Sequence, residues 1–267
     1  MKVLNKKFSF LLPIKNTNLS RFGIKADGGY VVDKEIMLKS DNLITFGLGG
    51  DWSFELDFLK INKNSQIFVY DHTVSANNYV KPLIKYLRRF LTFRSNFYSV
   101  SSRFHNLKKY LEFIRYKNIF FFKEKICFPV TKDKGESDLD KVFSRIDTNK
   151  KNILKIDIEG SEFEIIDQIN FYSKNIEMLI LEFHSLDKNE ELFIKSLKKL
   201  QENFDIIHLH GNNHCGQLES GLPIAFEVTM TNRKLRPSKI SYVKNFPNKD
   251  LDHPNNPHKE DIFFSFD

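Results

Sequence analysis

The stretch "ILKIDIEGSEFEII" (153–166) sets Asp157, Glu159 and Glu162 around Gly160, where an apolar run gives way to helical spacing. Carboxylates at the end of a buried strand cost desolvation unless a ligand, metal or base engages them. The plainer alternative is that Asp157 or Ser161 only caps the following helix. "LILEFH" ends in Glu182 and His184, and "IIHLHGNNHCG" carries His208, His210, Asn212, Asn213 and His214. Residues two apart share a face of a strand, so Glu182 pairs with His184 and His208 with His210. Such a rim suits a general base near neutral pH. It also suits a divalent metal held by Asp157, Glu182 and His184, although the spacing matches no zinc signature and metal is the minority option. His208 reads as a plain core or surface histidine. A third constellation is "TFGLGGDWSFE", where Gly47, Gly49 and Gly50 follow a strand and precede a helix. Glycines there admit a ligand close to the backbone. Asp71, with His72 beside it, ends the next strand about twenty residues on, where an acid can accept both hydroxyls of a ribose. Trp52 stands where the GxGxxG fingerprint needs its third glycine, which argues against NAD in its usual pose.

These residues need elements to position them. Apolar runs at 42–50, 65–71, 125–130, 152–158 and 176–184 read as strands. Amphipathic spacing at 53–60, 136–146, 161–169 and 189–202 reads as helices, the first capped by Ser53. The runs 205–213 and 224–232 look like a closing pair of strands. Alternating strands and helices imply parallel βαβ units in a doubly wound α/β sheet. Ligands of such sheets bind outside the carboxyl ends of the strands. The chain reads as one domain over 1–267, with a Pro- and Asn-rich, irregular tail from about 243.

The 267 residues carry a net charge of +7, and the excess is local. Residues 81–125 hold twelve Lys/Arg against two acids, interleaved with aromatics. The plainer reading is a solvated, partly helical insertion, and it is preferred slightly. The sharper reading is a surface for an anionic partner: a phosphorylated sugar, a lipid headgroup or a nucleic acid. No Pro-Pro occurs, so the usual base-methylating Asn/Asp-Pro-Pro-aromatic motif is absent and no nucleic acid is expected. Two distant cysteines, Cys127 and Cys215, give no disulfide framework. No stretch approaches the ~18 apolar residues of a membrane span. A cytoplasmic location is the simplest expectation, with peripheral contact to an anionic membrane as one use of the basic segment.

"LKIDIEGSE", preceded by "ESDLDKVF", resembles the signature region of the FkbM-like S-adenosylmethionine-dependent methyltransferases. "RFGIKADGGYVV" (21–32), "TFGLGGDWSFELDF" (45–58) and "HLHGNN" are similar to further segments of that family. The resemblance implies a Rossmann-like methyltransferase fold: a mostly parallel twisted sheet, helices on both faces and an antiparallel last strand. It implies S-adenosylmethionine over Gly47, Leu48 and Gly49 with its ribose on Asp71, and Asp157 and Glu159 facing cofactor and acceptor. The family's acid two residues before the first glycine is here Thr45, so Asp27 or Asp51 is expected to serve the methionine end. Its members are often encoded with polysaccharide-modifying genes. The expected activity is therefore O-methyl transfer to a sugar hydroxyl of a glycan, a sugar phosphate or a nucleotide sugar. His184 or His210 would be the base, and Asp157 or Glu182 would orient it or help hold Mg²⁺ or Mn²⁺. The competing expectation is a non-catalytic binding module of a glycan-assembly complex, favoured by Thr45.

Overall fold

The computed structural model describes residues 2–131, 135–147 and 149–267. Its centre is a seven-stranded sheet: β1 (Asn42–Phe46), β2 (Gln66–Tyr70), β3 (Ile119–Phe122), β4 (Asn152–Ile156), β5 (Ile176–Phe183), β6 (Phe204–Gln217) and β7 (Pro223–Asn232). The spatial order is β6-β7-β5-β4-β1-β2-β3. All neighbours are parallel except β7, which runs antiparallel to both β5 and β6. Strands β1 and β4 are buried at every position, as expected of a parallel sheet covered on both faces.

The pleat deals successive side chains to opposite layers. Ile44, Phe46, Leu154, Ile156, Leu179 and Leu181 join one core, and Leu43, Ile153, Met178 and Ile180 join the other. Phe46 is level with Ile156 across the β1–β4 pair. The chain order reverses at this pair, so the crevice at the carboxyl ends of β1 and β4 is the topological switch point of the sheet.

Several boundaries differ from the sequence reading. The edge strand is Ile119–Phe122, whose Phe120 and Phe122 stack on Phe68 and Tyr70 at 5.1 and 4.8 Å between ring centroids. The run 125–130 is no sheet strand: only Lys125–Ile126 is extended, paired with Glu136–Ser137 in a ribbon. The helix expected over 136–146 shortens to Leu139–Phe143, because the Asp138 side chain accepts from Lys141 N at 2.9 Å and starts it there. After β4 the chain makes a 3-10 turn, Glu162–Ile165, before the helix Ile166–Phe171. The helix after β5 begins earlier, at Leu186, and ends at Leu200.

The basic segment forms two helices, Ala76–Leu91 and Phe97–Ile114, packed along each other. The tail is largely irregular but well packed. Asn245–Phe246 and Phe264–Ser265 form a small sheet with Lys2–Val3, and Phe246, Ile262 and Phe264 enter the core. An N-terminal hairpin, Leu19–Phe22 with Tyr30–Asp33, places Tyr30 edge-on against Phe54.

Candidate functional site

Gly47 leaves β1 with φ 76°, and a Cβ there would lie 1.6 Å from the carbonyl oxygen of Asp157. No other residue can pass so close to the end of β4. Gly49, at φ 62°, has open space where its Cβ would stand. The turn is held from below by Asp71. One carboxylate oxygen accepts from the amides of Leu48 (2.9 Å) and Gly49 (3.1 Å), and the other from Thr73 N, Thr73 Oγ1 and Val74 N. Burial would raise the Asp71 pKa, but the bonds from Thr73, Leu48 and Gly49 outweigh it and hold the carboxyl below its usual range. Both oxygens thus hold the chain's own turn, while Asp71 also lines the cavity beside it.

Beside the turn lies a cavity of ≈ 210 Å³. Gly47, Gly49, Asp71 and His72 form one side, Glu124, Lys125 and Ile126 the other, and Asp157, Ile158 and Glu159 the end. Glu124 is anchored there by Arg145 at 2.8 and 3.0 Å and by Lys141 at 3.2 Å.

Thr45, where the family's acid is expected, bonds to a buried acid beneath it. Thr45 Oγ1 donates to Glu55 Oε1 at 3.0 Å, and Lys155 Nζ lies 3.8 Å from the same oxygen. Lys155 Nζ also reaches toward the carbonyl of Gly47 at 3.4 Å. Burial raises the Glu55 pKa against the pull of Lys155. Sequence reasoning missed this pair, although a lysine inside the apolar run "ILKI" requires a buried counter-charge. Asp27 and Asp51, the expected substitutes, are otherwise occupied. Asp51 Oδ1 accepts from Ser53 N at 3.0 Å and from Ser53 Oγ; Trp52 holds the N-cap position of the helix Ser53–Ile61, so Ser53 is its first residue rather than its cap. Asp27 pairs with Asn255 of the tail, its amide donating to Asn255 O at 3.2 Å.

Past the carboxyl ends of β4 and β5 stands the acidic cluster. The buried Glu162 Oε1 accepts from the amides of Ile158 and Gly160, both at 3.1 Å, and sits 3.0 Å from His184 Nδ1. The chain turns there through Glu159 (φ 54°) and Gly160 (φ 107°), a left-handed pair that Glu162 ties down. His184 Nε2 faces Asp157 and Glu182 at 3.7 Å each and the exposed Glu159 at 3.8 Å. Tyr30 Oη donates to Asp157 Oδ2 at 3.2 Å, and Asn212 Nδ2 to Glu182 Oε1 at 2.7 Å. Burial would lower the His184 pKa, but the Glu162 bond and the Glu182 charge push it up to about 9. Burial first, helped by neighbouring acids, raises Asp157 and lifts Glu182 well above the carboxylate range.

Asp157, Glu182 and His184 each offer a ligand atom, and these atoms lie within 4.8 Å of one another. Two carboxylates and an imidazole in such a volume are a donor set for a divalent cation, and no ion is needed to bring them together. His210 does not join them. It is 1 % exposed, with Nδ1 3.1 Å from Glu227 and Nε2 3.2 Å from Asp261. Burial lowers its pKa, yet the charge of Glu227 and the bond to Asp261 carry it well above the usual value. With both nitrogens engaged by carboxylates and the ring buried, His210 stands apart from the Asp157–Glu182–His184 cluster rather than beside it as expected. His208 is a core histidine, 2.9 Å from Asp252. Besides the Glu55–Lys155 pair, sequence reasoning passed over Tyr30, on the distant hairpin, and noted Glu162 without giving it a role.

A model of the methyltransferase FkbM domain matches residues 38–211, well over half the chain, including the Gly47–Gly49 turn and Asp157, Glu182 and His184. No curated protein matches. Among solved structures, a putative rRNA methylase from Clostridium thermocellum aligns with a TM-score of 0.40 at 10 % identity, covering 74 % of this chain and 91 % of that one. The fibrillarin/Nop5p complex gives 0.38 at 10 % identity over 73 % of each chain. The plantazolicin methyltransferase BpumL, bound to SAH, gives 0.32 at 9 % identity over 74 % and 79 %. The assignment rests on the family match and on the sheet order described above.

Proposed function

The chain belongs to the methyltransferase FkbM domain family, and from that premise we propose that it methylates a sugar hydroxyl of a polysaccharide or glycan precursor. One observation carries the reading: Asp157 belongs to two places at once. It closes the cavity beside the Gly47–Gly49 turn and is a member of the Asp157–Glu182–His184 cluster. Methyl donor and acceptor must meet at such a junction, because in-line transfer depends on positioning.

S-adenosylmethionine fits the cavity side. The open space above Gly49 admits a ligand against the backbone, and Gly47, His72 and Ile126 would hold its flanks. When bound it supplies an electrophilic methyl group. A divalent cation, Mg²⁺ or Mn²⁺, fits the cluster by its donor chemistry and would lower the pKa of a hydroxyl brought there. The chain's own residues do the rest. Glu162 fixes His184 through Nδ1 and leaves Nε2 aimed at the acids. Tyr30 holds one oxygen of Asp157, leaving the other on the cluster side to take the hydroxyl proton. Asp157, at the junction of cavity and cluster, is the group placed to take that proton.

A neutral, hydroxyl-rich acceptor suits a rim of carboxylates, Tyr30 and Asn212, and the acid excess disfavours a nucleic-acid phosphate. The feature that favoured a non-catalytic module, Thr45, is answered by Glu55 beneath the same turn. The test is incubation with methyl-labelled S-adenosylmethionine and a panel of polysaccharides and glycan precursors. Label recovered after hydrolysis as an O-methyl sugar, and lost with His184→Ala, is expected. Label on nitrogen or on nucleic acid would overturn the acceptor reading.

A further inference from the structure

The helical hairpin Ala76–Leu91/Phe97–Ile114 takes no part in the site, and its surface is unlike the rest of the molecule. No residue of its first helix is buried, and only Tyr110 and Phe113 are buried in its second. Its root is fastened to the domain by Trp52, which stacks on Phe113 (5.3 Å) and meets Tyr79 and Tyr110 edge-on at 6.2 Å each. Beyond that root the hairpin stands clear of the domain.

Two sets of side chains share the free part. Lys81, Lys85, Arg88 and Arg89 fall on one face of the first helix at i, i+4, i+7 and i+8. With Ile84 and Arg94 they line an open groove of ≈ 640 Å³. From 76 to 115 the chain carries nine Lys/Arg and a single acid, Glu112. Beside the basic face runs an exposed apolar stripe, Ile84, Leu87 and Leu91. At the tip, Phe93 is 98 % exposed, Tyr98 79 %, Phe97 71 % and Leu91 70 %. Holding such a cluster of large apolar side chains in water is unfavourable unless a partner covers it.

We propose that this hairpin docks the enzyme on an anionic lipid surface, its tip entering the acyl boundary and its basic face meeting the headgroups. A basic helix face beside an apolar stripe is the pattern of a helix lying in the bilayer interface. Polybasic segments are drawn to acidic lipids by the negative surface potential. A second copy of the chain would bring like charge against like charge. A nucleic acid would satisfy the cations but leave the aliphatic stripe in water. Among the described residues no helix is long and apolar enough to cross a membrane, so the contact is peripheral. The hairpin root packs on Trp52, next to the glycine turn, so docking would hold the crevice close to the lipid surface. The proposal stands whatever the acceptor is.

The test is co-flotation of the full chain with phosphatidylcholine vesicles, with and without phosphatidylserine, at low and high salt. Binding only to the phosphatidylserine vesicles, weakened by salt, is the expected result. R88E/R89E should reduce it on the order of tenfold or more. F93S/F97S should reduce it while leaving its salt dependence in place. All four side chains are exposed, so circular dichroism and the thermal midpoint of both variants should match the wild type. Absence of binding to anionic vesicles overturns the proposal. So does wild-type binding by either variant, displacement of the vesicles by single-stranded RNA, or dimerisation through the hairpin that F93S/F97S abolishes.

Discussion

His184 reads its surroundings through two nitrogens. Nδ1 meets the buried Glu162, and Nε2 meets the open side of the cluster. The first contact fixes the ring, so Glu162→Gln should lower turnover and the affinity for Mn²⁺ by about 10–100-fold. His184→Ala removes a proposed ligand and should lower Mn²⁺ affinity further while leaving S-adenosylhomocysteine affinity within a few-fold. Titrating each variant with both ligands checks this; equal loss of both would mean the cluster and the cavity are one structural unit. Lys155 makes a second residue-scale claim. Its side chain is 5 % exposed and its ammonium faces Glu55. Lys155→Met alone leaves a buried carboxyl without its partner and should cost about 3–5 kcal/mol in urea unfolding. Adding Glu55→Leu should return much of that loss. How far these residues were legible is itself informative. Asp157, Glu182 and His184 could be gathered from sequence because each ends a recognisable strand, and parallel strands deliver their ends to one side. Glu55 and Tyr30 could not, because their contacts cross elements that no local spacing relates, and the reach of Glu162 to His184 on the next strand was hidden for the same reason. His210 misled because period two fixes the face of a strand, not whether that face is open.

At the scale of elements, the sheet was readable where runs were long and apolar. It was misread at the edge, where "IFFF" follows a basic stretch and "KICFPV" looked the better strand. The stacked pairs Phe68–Phe120 and Tyr70–Phe122 decide the matter, and sequence spacing does not reveal them. The ribbon after β3 also carries a pH-dependent tie. Burial would raise the Glu124 pKa, but the bonds from Arg145, Ser137 and Lys141 bring it from 4.5 to about 2. A carboxyl depressed by folding stabilises the folded state above its unfolded pKa and loses that contribution as pH falls through the folded one. The Glu124 contribution should therefore be complete above pH 4.5 and vanish toward about pH 2. Arg145→Met should flatten the stability profile across that window; an unchanged profile there would remove the tie.

Across the whole molecule, the two ends of the chain close over the last strands of the sheet. Phe264 is fully buried and packs edge-on against Phe226 of β7 at 5.5 Å and flat on Phe246 at 5.2 Å. Phe264→Ala should cost about 3–5 kcal/mol, a large share of the stability of a domain this size, measured by denaturant unfolding. The same tail brings Asp252 to His208, Asn255 to Glu227 and Asp261 to His210. Its irregularity was legible in its Pro and Asn content; its burial was not, because three separated polar residues give no periodic signal.

The central claim is that the Gly47–Gly49 turn seats the methyl donor beside a cation-binding acidic cluster that shares Asp157 with the cavity. Calorimetric titration of the purified protein with S-adenosylhomocysteine, for the wild type, Gly49→Val and Glu182→Gln, tests it most directly. The account expects wild-type binding on the order of micromolar, its loss in Gly49→Val, and its retention in Glu182→Gln. Folded wild type that binds no S-adenosylhomocysteine, with or without Mn²⁺, would contradict it.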